Sequence, residues 1–213
     1  MNHSRADVAQ PLIYARAVEI VRLERSRLDE ASAVLARAFF DDPAWVWLLP
    51  DADRRARLLP WLFRIGFDIT AAEVYATEGE VLGAARWLAP GRAPLRVGAT
   101  VRALVTTPLR LGSTTGPFLA YGRAVESLRV EATAGPHWYL AGIGVEPAAR
   151  RQGIGGALLV PGIEASERDG VPAVLLTNNE QNLSFYEAHG FRTVREAQTP
   201  EDGPHAWAMV RRP

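Results

Sequence analysis

A glycine- and arginine-rich turn between a predicted strand and a predicted helix has the composition of an anion-binding site. The strand is expected over Trp138–Val145, where aromatic and branched residues favour extended backbone, and Pro147 ends it. The turn reads Arg-Arg-Gln-Gly-Ile-Gly-Gly from Arg150 to Gly156, and a helix is predicted to follow it from 157 to 168. Backbone N–H groups and the helix dipole at such a turn favour a phosphate or pyrophosphate.

Three residue patterns are known to hold a pyrophosphate in this position, and two of them do not fit. The P-loop requires G-x-x-x-x-G-K-[ST], but the chain contains no lysine. The dinucleotide fingerprint requires a small third residue where the chain has Leu158, and an acidic residue about 20 positions later. The next predicted strand ends at Thr177 without one. The third pattern, V-x-P-x-x-[QR]-x-x-G-x-[GA], is present from Val145 to Gly155.

This third pattern resembles motif A of the GNAT superfamily of acyl-CoA N-acyltransferases. The stretch N-L-S-F-Y-E-A-H-G-F, from Asn182 to Phe191, resembles motif B of the same family. The last third of the chain is most similar to the puromycin N-acetyltransferase branch, notably from 158 to 164 and from 203 to 209; the N-terminal half is similar more loosely, from 38 to 43 and from 73 to 87. The resemblance implies a mixed α/β fold whose central sheet is mostly antiparallel, with one parallel pair of strands that splay apart and helices on both sides.

The resemblance also implies acetyl-CoA as the acyl donor, with no metal. The pantetheine arm is expected between the splayed strands, and the pyrophosphate on the turn. An alternative role for Asn182 is to cap the helix that follows it. The residues implied in donor binding are Ile143, Gly144, Val145, Arg150, Arg151, Gln152, Gly153, Ile154, Gly155, Gly156, Asn182 and Tyr186.

Tyr186 is the candidate general acid for an amine's attack on the thioester. A phenol has a pKa of about 10 and a thiol one of about 8.5, so a tyrosine is still protonated at neutral pH and can protonate the departing thiolate. The alternative is a tyrosine that serves only the core beside Phe185. The general base is not identified, and several residues are candidates for it: Glu19, Glu73, Glu131, His137, Asp41 and Asp42.

The acceptor is expected to be the primary amine of a small molecule, such as an aminonucleoside antibiotic, which would make this a resistance enzyme. Candidate acceptor contacts are Asp41, Asp42, Trp45 and Tyr139, although the two aspartates could simply end a helix. One departure bears on puromycin: Leu176 stands where the puromycin enzymes have a glutamate. A protein or peptide acceptor and a non-catalytic acyl-CoA-binding module are the alternative functions.

Composition narrows the class of protein further. The 24 arginines balance 24 acidic residues, so overall charge does not favour nucleic acid or a membrane surface. Without cysteine there is no disulfide framework or cysteine nucleophile, and four scattered histidines do not suggest a metal site. The N-terminus lacks the apolar segment of a signal peptide, and no apolar run is long enough to span a bilayer. We therefore expect a cytoplasmic protein, and the arginine- and alanine-rich composition suggests a bacterial one.

The rest of the sequence predicts a flexible leader over 1–15 and one GNAT domain over 16–213. Strands are predicted at 17–23, 73–77, 81–88, 138–145, 171–177, 191–197 and 205–211, and helices at 29–40, 53–69, 157–168 and 183–188. Between 92 and 134 two or three helices are expected, broken at Pro94, Pro108 and Gly116-Pro117. This insert is expected to line the acceptor pocket or to form a contact in a homodimer.

Overall fold

A computed structural model describes residues 18–91 and 95–213 of the chain. The predicted leader and Pro94 lie outside these residues. The strands are β1 (Ile20–Arg22), β2 (Glu73–Thr77), β3 (Gly83–Leu88), β4 (Trp138–Val145), β5 (Ala173–Thr177), β6 (Arg192–Gln198) and β7 (His205–Arg211). The helices are α1 (Leu28–Ala38), α2 (Pro43–Leu48), α3 (Ala52–Ile69), α4 (Val97–Leu111), α5 (Thr115–Ala132), α6 (Ile154–Asp169) and α7 (Leu183–Ala188).

The strands form one sheet in the order β1-β2-β3-β4-β5-β7-β6. Neighbouring strands are antiparallel except β4 and β5, which run parallel. The parallel pairing covers only Trp138–Leu140 against Ala173–Leu175. Beyond it β4 stays paired to β3 and β5 stays paired to β7, so a gap opens between β4 and β5. The mixed sheet with a splayed parallel pair confirms the predicted fold class.

A β-bulge at Ala141 lies at the start of this gap. Arg86 and Trp87 are neighbours in β3 but pair with Gly142 and Leu140, which leaves Ala141 as the extra residue. Beyond the bulge, β4 packs closely on α1 at Gly144. A Cβ on Gly144 would lie 2.7 Å from the Cβ of Ala38, so α1 can approach β4 only because this residue is glycine.

Helices cover both faces of the sheet, and the gap lies where elements of both faces meet. On one face α1 packs against α3, β3 and β4, while α5 packs on β5, β6 and β7. On the other face α6 and α7 enclose a core that includes Trp87, Leu158 and Phe191, all fully buried. No helix in the described part of the chain is long and apolar enough to cross a membrane.

The insert was predicted with the wrong helix breaks. Pro108 lies inside α4, and Gly116-Pro117 lies in the first turn of α5. The first-turn N–H groups of a helix have no intrahelical acceptor, so Pro117 costs α5 no hydrogen bond. Pro108 is in the last turn of an exposed helix, where water can satisfy the carbonyl it leaves unpaired. The actual break is at Gly112, whose φ of +54° suits glycine.

Other predictions were closer. The strands and helices around the glycine-rich turn and α7 lie within three residues of their predicted bounds, and Gly190 has the positive φ, +85°, expected of a helix C-cap. No helix was predicted around Trp45, but the segment forms α2 because Asp42 caps it and Pro43 occupies its first turn.

Replacing Gly162 in the middle of α6 with alanine should destabilise the protein. A Cβ there would overlap the indole ring of fully buried Trp87, and overpacking of this kind typically costs about 1–3 kcal/mol. Gly122 is the matched control in the middle of α5, where a Cβ meets nothing within 4 Å. Gly122→Ala should leave stability equal or raise it by about 0.5–1 kcal/mol. Urea unfolding of the two variants measures the difference, and equal midpoints would contradict this account of the packing.

Candidate active site

The gap between β4 and β5 joins two cavities. An outer groove of about 940 Å³ runs along the glycine-rich turn and α7. An inner cavity of about 200 Å³ lies between the β4–β5 gap, α2 and α5. Both are lined by Phe39, Asp42, Ile143, Asn182 and Tyr186. These residues therefore surround the place where a molecule in the groove would meet one in the cavity.

The glycine-rich turn presents unpaired backbone donors to the outer groove. None of the N–H groups from Gln152 to Gly156 forms a hydrogen bond within the described residues. Arg151 and Gly153 have positive φ values, +64° and +79°, which turn the chain sharply into α6. The first turn of a helix leaves such donors for an anion, so this backbone geometry fits a phosphate or pyrophosphate.

Side chains complete the groove on either side of these donors. Arg150 donates to the carbonyl of Ala38 at 3.2 Å, which ties the turn to the end of α1. Gly155 allows Phe185 of α7 to pack closely, since a Cβ would lie 3.3 Å from its ring. All the predicted donor-binding residues line the groove except Gln152, which is exposed. Asn182 makes no capping hydrogen bond with its side chain, so the alternative role as a helix cap is not observed.

Tyr186 is both a core residue and a wall of the two cavities. Its ring packs against Phe185 and Phe191, with centroid distances of 5.2 and 6.2 Å. Its hydroxyl forms no hydrogen bond with another described residue. Burial, and then the negative charge of Asp42, raise the pKa of Tyr186 above that of an ordinary tyrosine. The phenol is therefore protonated at neutral pH and free to donate a hydrogen bond.

Asp42 is the carboxylate at the junction of the cavities. Its Oδ1 accepts a hydrogen bond from the backbone of Ala44 at 3.0 Å, so Asp42 caps the start of α2. The alternative role of ending a helix does not apply to it, because α1 ends at Ala38. Burial raises the pKa of Asp42 to about 6 despite its backbone hydrogen bonds. Asp41 is exposed and lines only the outer groove.

Six aromatic side chains line the inner cavity. Trp45 packs on Phe63 with a centroid distance of 5.7 Å. Tyr121 of α5 donates to Oδ1 of Asn178 at 2.7 Å, and burial raises its pKa. Burial also raises the pKa of Tyr139, to about 12. Two predicted acceptor contacts, Trp45 and Tyr139, thus reach this cavity together with Asp42.

The sequence did not identify Phe39, Phe63 and Tyr121 as cavity residues. Phe39 and Phe63 lie at apolar positions of predicted helices, and such positions are usually occupied by core residues. Tyr121 belongs to α5, whose start was misplaced, so its orientation was unknown. The only signal for Tyr121 was its position in the insert expected to line the pocket.

Most candidate bases lie away from both cavities. Glu19 is exposed, Glu73 accepts from the Tyr75 hydroxyl at 2.6 Å, and Glu131 accepts from Ser127 at 3.0 Å. His137 contacts Arg129, and burial lowers its pKa. Among the candidates, only the two aspartates of the α1–α2 turn line the cavities. Within the described residues, no group of three histidine, aspartate or glutamate side chains is arranged to hold a metal ion.

Replacing Asp42 with asparagine should stabilise the protein at neutral pH. Asparagine caps helices as well as aspartate does, but it carries no buried charge. The unfolded carboxyl titrates near pH 3.9 and the folded one near 6, so the folded state binds more protons between these values and stability falls as pH rises through them. The gain from Asp42→Asn should therefore grow from about pH 4 to 6.5, reach about 1–3 kcal/mol, and then stay level.

Melting temperatures of both proteins from pH 4.5 to 8 measure this gain. The substitution Asp41→Asn is the matched control, because Asp41 is exposed and should show no such dependence. A gain that is the same at every pH would show that the destabilising effect of Asp42 does not arise from the ionisation of its carboxyl group.

Comparison with known proteins identifies the family. Residues 36–191 match the profile of the Acetyltransferase (GNAT) family. Solved structures with the same fold include "histone acetyltransferase HPA2 and related acetyltransferase" from Corynebacterium glutamicum, at 23% identity and a TM-score of 0.63, covering 92% of this chain and 96% of that one. The Drosophila melanogaster polyamine N-acetyltransferase has 13% identity, a TM-score of 0.59, and coverage of 92% and 100%. Mosquito arylalkylamine N-acetyltransferase-like 5b has 12% identity, a TM-score of 0.56, and the same coverage. Because the family profile spans well over half of the chain, and its fold and turn are those described above, the protein belongs to the GNAT family of N-acetyltransferases, which use acetyl-CoA.

Proposed function

We propose that this protein transfers the acetyl group of acetyl-CoA to a primary amine of a small molecule by direct attack on the thioester. The observation that carries the proposal is that Asp42 and Tyr186 line both cavities. An anion cradle lies in the outer groove, and six aromatic side chains line the inner cavity. A thioester in the groove would meet an amine in the cavity at the gap between β4 and β5.

The donor would lie along the outer groove, with its pyrophosphate on the unpaired N–H groups from Gln152 to Gly156 and near the charge of Arg151. Beyond Leu140, β4 has no partner strand on its β5 side. Alternate backbone groups of Ala141–Val145 can therefore hydrogen-bond a ligand that enters the gap. In the same region, an N–H group can stabilise the negative charge that develops on the carbonyl oxygen.

Two side chains at the junction have the properties that the proton transfers require. Asp42 has a pKa near 6 and is ionised at pH 7.5, so it can attract the ammonium group of the acceptor and accept its proton. Tyr186 is protonated under the same conditions and can donate a proton to the leaving thiolate. Burial raises the pKa of both groups. The pKa of Asp42 still lies below 7, so the carboxylate is a base at neutral pH, whereas that of Tyr186 lies far above 7, so the phenol is an acid.

The enclosed inner cavity favours a small acceptor over a protein. The insert contributes Tyr121 and Val125 of α5 to its wall, and Trp45 of α2 closes another side. Structures with the same fold are named for both classes of acceptor, among them an agmatine N-acetyltransferase and a NatC complex bound to Gag peptide and CoA. An aminonucleoside such as puromycin is a candidate within the small-molecule class. Leu176 lines the cavity, so the missing glutamate would affect acceptor binding directly.

Tyr186→Phe should lower kcat by about 10²-fold or more while leaving the dissociation constant for CoA within about twofold, because a general acid acts only in the chemical step. The measurement is CoA release with a panel of puromycin, polyamines, amino acids, aminoglycosides and short peptides, followed by CoA binding by calorimetry. Tyr75→Phe is the matched control, since the Tyr75 hydroxyl already donates to Glu73 and the residue lines neither cavity. An unchanged kcat in Tyr186→Phe would exclude the acid role.

Helix α4 gives the proposed homodimer a structural basis. Of its residues only Leu111 is buried, although the helix carries an apolar stripe at helical spacing. The exposed fraction of the stripe's side chains lies between 55% and 79% for Val97, Val101, Leu104, Val105 and Leu109. A monomer would leave this stripe in water. We propose that a second copy of the chain covers it.

Charge and area favour a second copy over an anionic membrane. Arg102 is bound to Asp68 at 2.5 Å, and the Arg110 guanidinium lies over the Trp61 ring, so both arginines of α4 are engaged within the chain. The exposed stripe, extended by Leu95 and Leu119, is on the order of the ~800 Å² per partner of a standard protein interface. A stripe on one helix can pair with itself about a two-fold axis.

A charge in the stripe should separate the two copies. Leu104→Glu should convert a dimer of about twice the 23.3 kDa chain mass into a monomer by light scattering, and the variant should remain folded because the residue is 70% exposed in the single chain. Val160→Glu on α6 is the control, since Val160 is also exposed but lies outside the stripe. A monomeric wild-type protein at micromolar concentration would refute the dimer.

A further inference from the structure

Arg86 has a guanidinium group without a counterion beside the inner cavity. It lies in β3 opposite Gly142, at the bulge where the gap between β4 and β5 begins. Its Nη2 donates to the Thr70 hydroxyl, and its Cζ lies 5.8 Å from the centroid of the Phe67 ring. The Nε is fully buried and has no hydrogen-bond partner, and no described carboxylate forms an ion pair with the group.

A small cavity of about 150 Å³ adjoins this guanidinium. Its walls include Arg86 and Phe67, together with four residues that also line the inner cavity of the active site: Trp45, Phe63, Ala141 and Gly142. The two spaces are therefore neighbours across the Trp45–Phe63 pair and the bulge. A molecule held between them would have Asp42 on one side and Arg86 on the other.

An unpaired buried cation is costly to keep in a protein interior. Asp68, a carboxylate on α3, is already engaged by Arg64 and Arg102 and does not pair with Arg86. Burial lowers the pKa of Arg86 to about 10, and Arg86 therefore stays charged at neutral pH. The cost persists in the free protein, and it would be offset by an anion that enters from the active-site side.

We infer that the acceptor carries a carboxylate that Arg86 binds, and that it is therefore an amino acid or a close analogue with a free amine. This inference rests on the proposed function, and it specifies the acceptor of that same site. A guanidinium presents two parallel N–H groups that match the two oxygens of a carboxylate. The Arg86 guanidinium at the wall of the small cavity, and Asp42 beyond the aromatic pair, supply opposite charges for the two ends of a zwitterion. The amine is then directed to the gap, and the carboxylate to the small cavity.

Matched pairs of acceptors with and without the carboxylate test the inference: phenylalanine against phenethylamine, and arginine against agmatine. For the wild-type protein, kcat/KM for at least one amino acid should exceed that of its amine at least tenfold. Arg86→Gln should lower the value for the amino acid by at least tenfold and leave that for the amine within about threefold, and Arg86→Lys should restore part of the preference. Equal loss for both members of each pair, or preference for the decarboxylated amine in both pairs, would overturn the inference.

A binding measurement separates this inference from the proposed function. N-acetylphenylalanine should raise the melting temperature of the wild-type protein more than N-acetylphenylalaninamide does, and Arg86→Gln should abolish the difference. If no amine is acetylated but the carboxylate-dependent shift is present, the proposed function fails and the anion site stands. If the two compounds act equally on the wild-type protein, the anion site fails whatever the turnover. Unchanged CoA binding by Arg86→Gln shows that the variant is folded.

Discussion

The divergence of β4 from β5 is the constraint on which the other features of the site depend. Three residue pairs hold the strands together, and the bulge at Ala141 then turns β4 while β5 continues along β7. A continuous sheet would have satisfied these backbone groups and would have separated α1 and α5 from α6 and α7. The interruption instead brings Asp42 from one face and Tyr186 from the other to a common opening, and it leaves strand-edge donors and acceptors for a ligand.

Several groups around this opening are kept at a cost to stability. Asp42 is buried enough that its ionisation is disfavoured. Among the residues that the structure describes, the N–H groups at the start of α6 have no partner and Arg86 has no counterion. Other buried polar groups are paired within the protein: Arg55, for example, donates to the carbonyls of Phe40 and Leu49. Buried atoms without a partner also occur away from the site, at Trp87 Nε1, Thr115 Oγ1 and Arg211 Nη1. At the opening, however, the costly groups line a space that a ligand can enter, which is typical of a site whose partners arrive with the substrate. The packed core, with Trp87 against Gly162, holds that region in place.

The insert forms part of the wall of the inner cavity. Helix α5 packs on β5, β6 and β7 and contributes Tyr121 and Val125 to the inner cavity, so the cavity is enclosed on a side that the sheet alone would leave open. Helix α4 contributes little to the core and exposes an apolar stripe, so its contribution to a folded monomer is small. The two halves of one insert thus have different surroundings, and this fits separate roles in acceptor binding and in self-association.

The sequence by itself determined the glycine-rich turn and the position of α7, because these depend on local signals: β-branched runs, a proline and glycines that adopt positive φ. The fold class followed from the resemblance of its motifs to those of the GNAT family. Its motifs also pointed to Tyr186 and to the family. The tertiary structure alone decided that Asp42 and not His137 or Glu131 lies at the junction, and that Tyr121 and Phe63 line the inner cavity. It also decided that Arg86 has a buried Nε without a partner and no counterion among the described residues. These facts depend on contacts between residues far apart in the chain and on one bulge that changes the alternation of β4. Local periodicity carries no information about either.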